Sequence, residues 1–130
     1  MLSAADEVVS GIIEKWSAAF NKLDADALAS LYSKNAFFFG SKSSLFRGRD
    51  GVASYFNALP RWRSPIVQFT DLATAQVNAD VLNFAGTASF VVEQDAEPLS
   101  VKITWVIAWE DGGWKIASHH VSSRTPLLQE

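Results

Sequence analysis

Between Pro65 and Ser122 the chain carries four long apolar-rich segments, near 66–77, 81–92, 99–110 and 114–122. Only the turn signals Asn78-Ala79-Asp80, Asp95-Ala96-Glu97-Pro98 and Asp111-Gly112-Gly113 separate them. In the third segment Val101, Ile103, Trp105, Ile107 and Trp109 fall on one side and Lys102, Thr104, Val106, Ala108 and Glu110 on the other. That period of two is the pattern of a strand with one buried face. Segments of nine to twelve residues predict long strands in a strongly curved meander. Such a sheet must bury its apolar face against another layer, and the cover has to come from the first half of the chain.

The first half supplies it as helices. Val8, Val9, Ile12, Ile13, Trp16, Ala19, Phe20 and Leu23 recur at three- and four-residue spacing, with Ser3 as N-cap and Asn21-Lys22 as the end. Asp24 caps a short second helix whose inward positions are Ala27, Leu28, Leu31 and Tyr32. The period then changes, and Ala36–Phe39 and Ser44–Arg47 read as short strands around Gly40-Ser41-Lys42-Ser43. Gly48-Arg49-Asp50-Gly51 opens a third helix with Val52, Tyr55, Phe56 and Leu59 inward, and Pro60 closes it. Helices segregated from strands predict an α+β fold, a single domain over residues 1–130.

Composition narrows the function classes. Five Trp, two Tyr and nine Phe in a chain that is 48% hydrophobic promise a real core rather than disorder. A net charge of −3 gives no argument for nucleic acid or an anionic membrane. The absence of cysteine excludes disulfides, thiolate zinc sites and cysteine nucleophiles. No apolar run approaches the roughly 20 residues of a membrane span, and Met1–Glu7 lacks the basic start of a signal peptide. The expectation is a soluble, cytoplasmic domain.

The order of these elements resembles the nuclear transport factor 2-like superfamily, in its SnoaL-like and calcium/calmodulin-dependent kinase II association-domain branches. The residues carrying the resemblance are Trp16 with Phe20, the run Asp24-x-Asp26-x-Leu28-x-x-Leu31-Tyr32, the entry Phe46-Arg47-Gly48-Arg49-Asp50-Gly51 with Tyr55-Phe56, and the ending Asp111-Gly112-Gly113-Trp114-Lys115-Ile116 … His119-His120-x-Ser122. The resemblance implies a cone: three helices packed on a curved mixed or antiparallel sheet, with a pocket at the open end, and a homodimer paired through the outer sheet face. The superfamily hosts cyclases, dehydratases, isomerases and assembly modules alike, so the fold alone leaves the chemistry open.

His119 and His120 are the two histidines, and as neighbours on a strand they face opposite ways. A two-residue loop at Asp111-Gly112 pairs Trp109 with Trp114 and turns His120 to the Trp105 face; a three-residue loop with Gly113 left-handed turns His119 there. The resemblance places Trp105 and Val121 at pocket positions and so favours the longer loop and His119. A pocket histidine is a natural general acid or base; the competing role is a hydrogen-bonded core residue. Tyr32 and Tyr55 are candidate phenol donors to a developing oxyanion, or simply packed rings. Trp16, Phe20, Phe37, Phe39, Phe56 and Trp105 would line the cavity. Arg47, Arg49, Arg61 and Arg63 flank the third helix, and Arg63 beside Trp62 would grip a ligand carboxylate at the mouth.

Acids are scarce where isomerase chemistry would need them, with Asp24, Asp26 and Asp50 reading as helix caps. Metal ligation finds no suitable spacing, and no cofactor is expected. Two functions follow: a cofactor-free cyclase, dehydratase or isomerase working by His-mediated proton transfer on an apolar substrate, or a non-catalytic homodimer that binds an apolar ligand or a protein partner. For the dimer face the longer hairpin would gather Val106, Ala108, Trp114 and Ile116 on the outside of the sheet.

Overall fold

A computed structural model describes residues 3–93 and 96–129; Met1, Leu2 and the turn residue Asp95 lie outside the described residues. Helix α1 (Ala4–Asn21) starts at Ser3, whose hydroxyl accepts the Asp6 N–H while the Asp6 carboxylate accepts the Ser3 N–H. This capping box satisfies two of the helix's free donors. The same carboxylate accepts the Thr74 hydroxyl and so ties the helix to the sheet. At the other end Leu23 N–H bonds Phe20 C=O and Asp24 N–H bonds Ala19 C=O, with Leu23 left-handed at φ 51. A leucine there costs about 1 kcal/mol in backbone energy, and burial of its side chain offsets that.

Asp24 caps α2 (Ala25–Ala29) by accepting the Ala27 N–H. The next element differs from the sequence reading: Tyr32 is the first residue of strand β1 (Tyr32–Phe39), not a helical residue. Leu31 C=O accepts the Ile116 N–H, which draws the chain into the sheet directly after α2. Along β1 the buried residues are Tyr32, Ser33, Ala36 and Phe38, whereas Phe37 is 50% and Phe39 38% exposed. Strand β2 (Phe46–Arg47) pairs antiparallel with β1 and leads into α3 (Gly48–Asn57), which buries Val52, Tyr55 and Phe56. Asp24 alone of the three expected caps makes a cap bond: Asp26 and Asp50 sit inside the first turns of their helices, where the helix dipole favours a negative charge.

The remaining strands, β3 (Ile66–Asn78), β4 (Val81–Val91), β5 (Leu99–Glu110) and β6 (Gly113–Ser123), form the long meander that the alternation predicts. The sheet order is β2-β1-β6-β5-β4-β3, antiparallel throughout except for the parallel β1–β6 pair. This is the mixed α+β architecture expected, with Trp16, Phe56, Leu82, Phe84, Trp105 and Ile107 in one core between helices and sheet.

The β5–β6 hairpin corrects the sequence reading. Its loop has two residues, Asp111 at φ 50 and Gly112 at φ 81, and pairs Glu110 with Gly113 and Trp109 with Trp114. The three-residue loop does not form. Ile107 still pairs with Ile116, but Val106 pairs with Ser118, so Ala117 is an extra residue bulged out of β6. That bulge moves His119 opposite Trp105 and reverses the assignment a two-residue loop would otherwise give. Trp114 and Ile116 share the inner face with Trp109 and Ile107, so they do not belong to an outer patch. The outer face instead carries the rows Ala73, Ala85, Thr104, His120 and Ala75, Asn83, Val106, Ser118.

Glu110, at the tip of β5, locks three elements together. Its carboxylate accepts the Ser33 hydroxyl at 2.6 Å, the Lys34 N–H at 3.2 Å and the Arg49 Nη2 at 3.1 Å, and Arg49 Nε also donates to the Tyr32 carbonyl. The Ser33 bond first, then Lys34 N–H and Arg49, hold the carboxyl below the usual carboxylate range. Glu110→Ala is expected to lower the unfolding free energy by about 2 kcal/mol, because it strands a partly buried hydroxyl and guanidinium. Removing Lys34, whose contact with Asp111 is 3.9 Å long and largely exposed, is expected to cost no more than about 0.5 kcal/mol. Urea denaturation of the two variants checks the contrast.

Candidate functional site

Between the helices and the concave side of the sheet lies an apolar cavity of about 160 Å³, open on one side. Its walls come from α1 (Trp16, Phe20), α3 (Tyr55, Phe56), the segment after α3 (Leu59, Trp62) and all four strands β1, β4, β5 and β6 (Phe38, Phe90, Leu99, Val101, His119, Val121), closed by Gly40 and Ser41. Among the described residues no Asp, Glu, Lys or Arg lines it. Trp16 holds the wall together by ring contacts to Phe20, Phe56, Phe69, Phe90 and Trp105, at centroid distances of 5.3 to 6.5 Å.

His119 is buried, stacked on Phe38 at 4.0 Å and held by a chain of hydrogen bonds. Trp105 Nε1–H donates to His119 Nδ1 at 2.9 Å, the Tyr32 hydroxyl lies 2.9 Å from the same nitrogen, and Trp16 Nε1–H donates to the Tyr32 oxygen at 3.0 Å. An indole N–H can only donate, so Nδ1 is an acceptor and the proton of the neutral ring sits on Nε2. Nε2 has no partner among the described residues, and no sealed-off side-chain nitrogen or oxygen lacks one. Nε2 is therefore the nitrogen that reaches the cavity.

Burial, helped by the neighbouring His120, pushes the His119 imidazole down to about 3 from an ordinary 6.5. Burial likewise raises the Tyr32 phenol far above its usual range. Both groups are neutral at physiological pH. To take a proton at Nε2, the ring would have to become charged in an apolar wall or turn an Nδ1–H against the Trp105 N–H. The geometry equips His119 to donate a hydrogen bond rather than to abstract a proton.

Tyr55 is fixed at the rim. Its oxygen accepts the Ser41 N–H at 2.8 Å and lies 2.7 Å from the Ser41 hydroxyl. This closeness depends on Gly40, where an added Cβ would lie 2.5 Å from Tyr55 Cζ and 2.7 Å from Phe38 Cε1.

Of the residues singled out in the sequence, the fold brings Trp16, Phe20, Tyr55, Phe56, Trp62 and His119 to the cavity, with Tyr32 and Trp105 directly behind His119. His120 is exposed on the opposite face beside Phe39, at 5.4 Å. Phe37 and Phe39 point away from the cavity, and Phe37 stacks under the Arg47 guanidinium at 5.4 Å. Phe38 takes the inner place, because the alternation of β1 runs through Ala36 and Phe38. Arg49 is committed to Glu110, and Arg61 donates to the Phe56 and Leu59 carbonyls at the end of α3. Arg63 is exposed in a neighbouring groove on the far side of Trp62 and does not line the cavity. Sequence reasoning missed Phe38 and Phe90, which the inward phase of β1 and β4 reveals, and it missed the donor role of the Trp16 and Trp105 indoles, which depends on contacts distant in the chain.

No helix among the described residues is long and apolar enough to cross a membrane. Among those residues no cluster of three or more His, Cys, Asp or Glu is arranged to hold a metal ion.

A cone of three helices on a curved mixed sheet, with its cavity between them, is the nuclear transport factor 2-like fold. Within it the chain belongs to the SnoaL-like domain family, which matches over residues 9–126. Among solved structures, a Mycobacterium tuberculosis protein of unknown function is 19% identical, with TM-score 0.81 over 93% of this chain and 77% of that one. A Xanthomonas campestris protein assigned as a calcium/calmodulin-dependent protein kinase II association domain is 19% identical, with TM-score 0.82 over 97% and 91% of the two chains. A hexachlorocyclohexane dehydrochlorinase of Novosphingobium barchaimii is 19% identical, with TM-score 0.74 over 94% and 88%. At this identity the likenesses show the fold alone. No curated protein matches the sequence.

The neutral buried histidine has a measurable signature. The folded ring stays unprotonated down to about pH 3, whereas the unfolded ring takes up a proton below about 6.5, so stability falls on acidification through that window. Between pH 6.5 and pH 5.5, above the ordinary values of 3.8 for Asp6 and 4.5 for Glu110 at which their contributions begin to fade, urea unfolding is expected to lose about 1 kcal/mol. His119→Gln is expected to flatten that slope; an unchanged slope would mean that the ring is accessible to protons. At the rim, Gly40→Ala is expected to cost about 1–3 kcal/mol by forcing Tyr55 and Phe38 apart, read as a lowered melting temperature.

Proposed function

We propose that the domain binds a small, neutral, largely apolar molecule about the size of one six-membered ring, held in the cone with His119 Nε2–H presented to it. The observation that carries this is the cavity itself. It measures about 160 Å³, its aromatic and aliphatic walls carry no charged side chain among the described residues, and one imidazole is set into the wall. Apolar cavities of about 150 Å³ accept benzene-sized guests. Binding, rather than proton abstraction, is the reading the site supports. A base in this cavity would have to be His119, and its neighbours hold its accessible nitrogen protonated.

The catalytic alternative is an elimination or isomerisation in which His119 polarises the substrate. Its support is the dehydrochlorinase named among the structural neighbours. Among the described residues it finds no carboxylate at the cavity to take the proton. Pairing of two copies through the outer face is supported by the association-domain neighbour and by the small side chains Ala73, Ala75, Ala85 and Val106 across three strands.

Titration with toluene is expected to shift the indole N–H resonances of Trp16 and Trp62 in 1H–15N spectra. Val121→Trp, which fills the cavity from β6, is expected to weaken binding at least ten-fold while leaving the fold intact. If toluene produced no shifts at the cavity, or bound Val121→Trp equally well, the binding reading would be wrong.

A further inference from the structure

Resting on the cavity as a binding site, we infer that Trp105 and Tyr32 act as positioning residues that fix the His119 tautomer. They thereby make the site selective for rings bearing a neutral hydrogen-bond acceptor, above all cyclic ketones and related carbonyl compounds. The argument begins at Nδ1. Its single in-plane lone pair faces two donors, the Trp105 Nε1–H and the Tyr32 O–H, each at 2.9 Å. The Tyr32 hydrogen is free to point there because the Tyr32 oxygen is itself occupied as acceptor by the Trp16 Nε1–H. Reversing the tautomer would set an Nδ1–H against an indole N–H inside a buried wall and leave both without acceptors, a severe penalty for buried donors. Phe38, stacked at 4.0 Å and 21°, holds the plane of the ring.

The consequence falls on the ligand. Nε2 can offer one hydrogen bond and can accept none. A guest with a carbonyl or ether oxygen completes the hydrogen bonding of the wall. A hydrocarbon of the same shape leaves the N–H unpaired, and a ring cation finds no carboxylate at all. Selectivity of this kind comes from leaving buried polar groups unpaired when the wrong partner binds. It needs no charge and no metal, and it is set by residues that do not touch the guest.

Three measurements test this. In long-range 1H–15N correlations of the wild-type protein, His119 is expected to show a protonated Nε2 and an unprotonated Nδ1. Replacing both donors (Tyr32→Phe with Trp105→Phe) is expected to let the Nδ1–H form appear, a change that mere destabilisation would not produce. The second probe is cyclohexanone, whose carbonyl stretch is expected to lie lower in the complex than in a hydrocarbon solvent. Third, the preference for cyclohexanone over the isosteric methylenecyclohexane is expected to drop about five-fold in His119→Leu, the scale of one neutral hydrogen bond. A wild-type Nδ1–H signal, or bound cyclohexanone with an unshifted carbonyl stretch, would overturn the inference while leaving the cavity as a binding site. Failure of both rings to bind would overturn the binding reading, and the selectivity with it; the tautomer measurement would still decide the lock separately.

Discussion

One extra residue in β6 determines what the inside of this molecule is made of. The Asp111-Gly112 turn sets a register in which Ser118 and His120 would face the helices. The bulge at Ala117 cancels it after four pairs, so that Ile116 and His119 both point inward. A strand side chain changes face with every one-residue slip, so the bulge decides whether Ser118 and His120 or His119 and Val121 face the cavity. Trp105, Tyr32 and Phe38 all make contacts that presuppose His119 in this position.

Much of the architecture was legible because it is written in periodicity. The alternation along Val101–Trp109 and the Ser3 and Asp24 caps rest on local chemistry, and the structure repeats them. The failures share one cause: they depend on phase or register rather than on composition. Tyr32 was read as helical because its spacing continues that of Leu28 and Leu31, and only the Leu31–Ile116 bond shows that the sheet has already begun. Phe37 and Phe39 were placed inside in a run of three phenylalanines, where sequence alone does not say which one alternation buries. For His119 the expected side was right and the expected loop was wrong, since two opposing register choices gave the same outcome. Trp114 and Ile116, derived from that same loop, went to the wrong face.

The chemistry of the site follows from what surrounds it more than from the residues it contains. A histidine in water is a pH switch; here, walled by aromatic rings and approached by N–H and O–H groups, it is a fixed dipole. Tyr32 undergoes the same change, from a titratable phenol to a relay between an indole and an imidazole. The charged residues flanking α3 serve the frame instead of the cavity, with Arg49 joined to Glu110 and Arg61 closing the end of the helix. Among the described residues the cavity is walled by aromatic and aliphatic side chains and carries a single directed imidazole N–H, with no charged side chain.

The parallel pairing of β1 with β6 sets the timing of assembly. Tyr32 and His119 are 87 positions apart, and the segments between them form the other strands of the same sheet. Closing so long a loop is entropically costly and comes late when topology governs the folding rate. On a ribosome, α1, α2 and the β3–β4 hairpin would be available before β6 exists, and their aromatic faces would wait uncovered. The cavity is therefore the closing step of folding: its walls and its hydrogen-bonded histidine come into being together, when the final strand slides between β1 and β5.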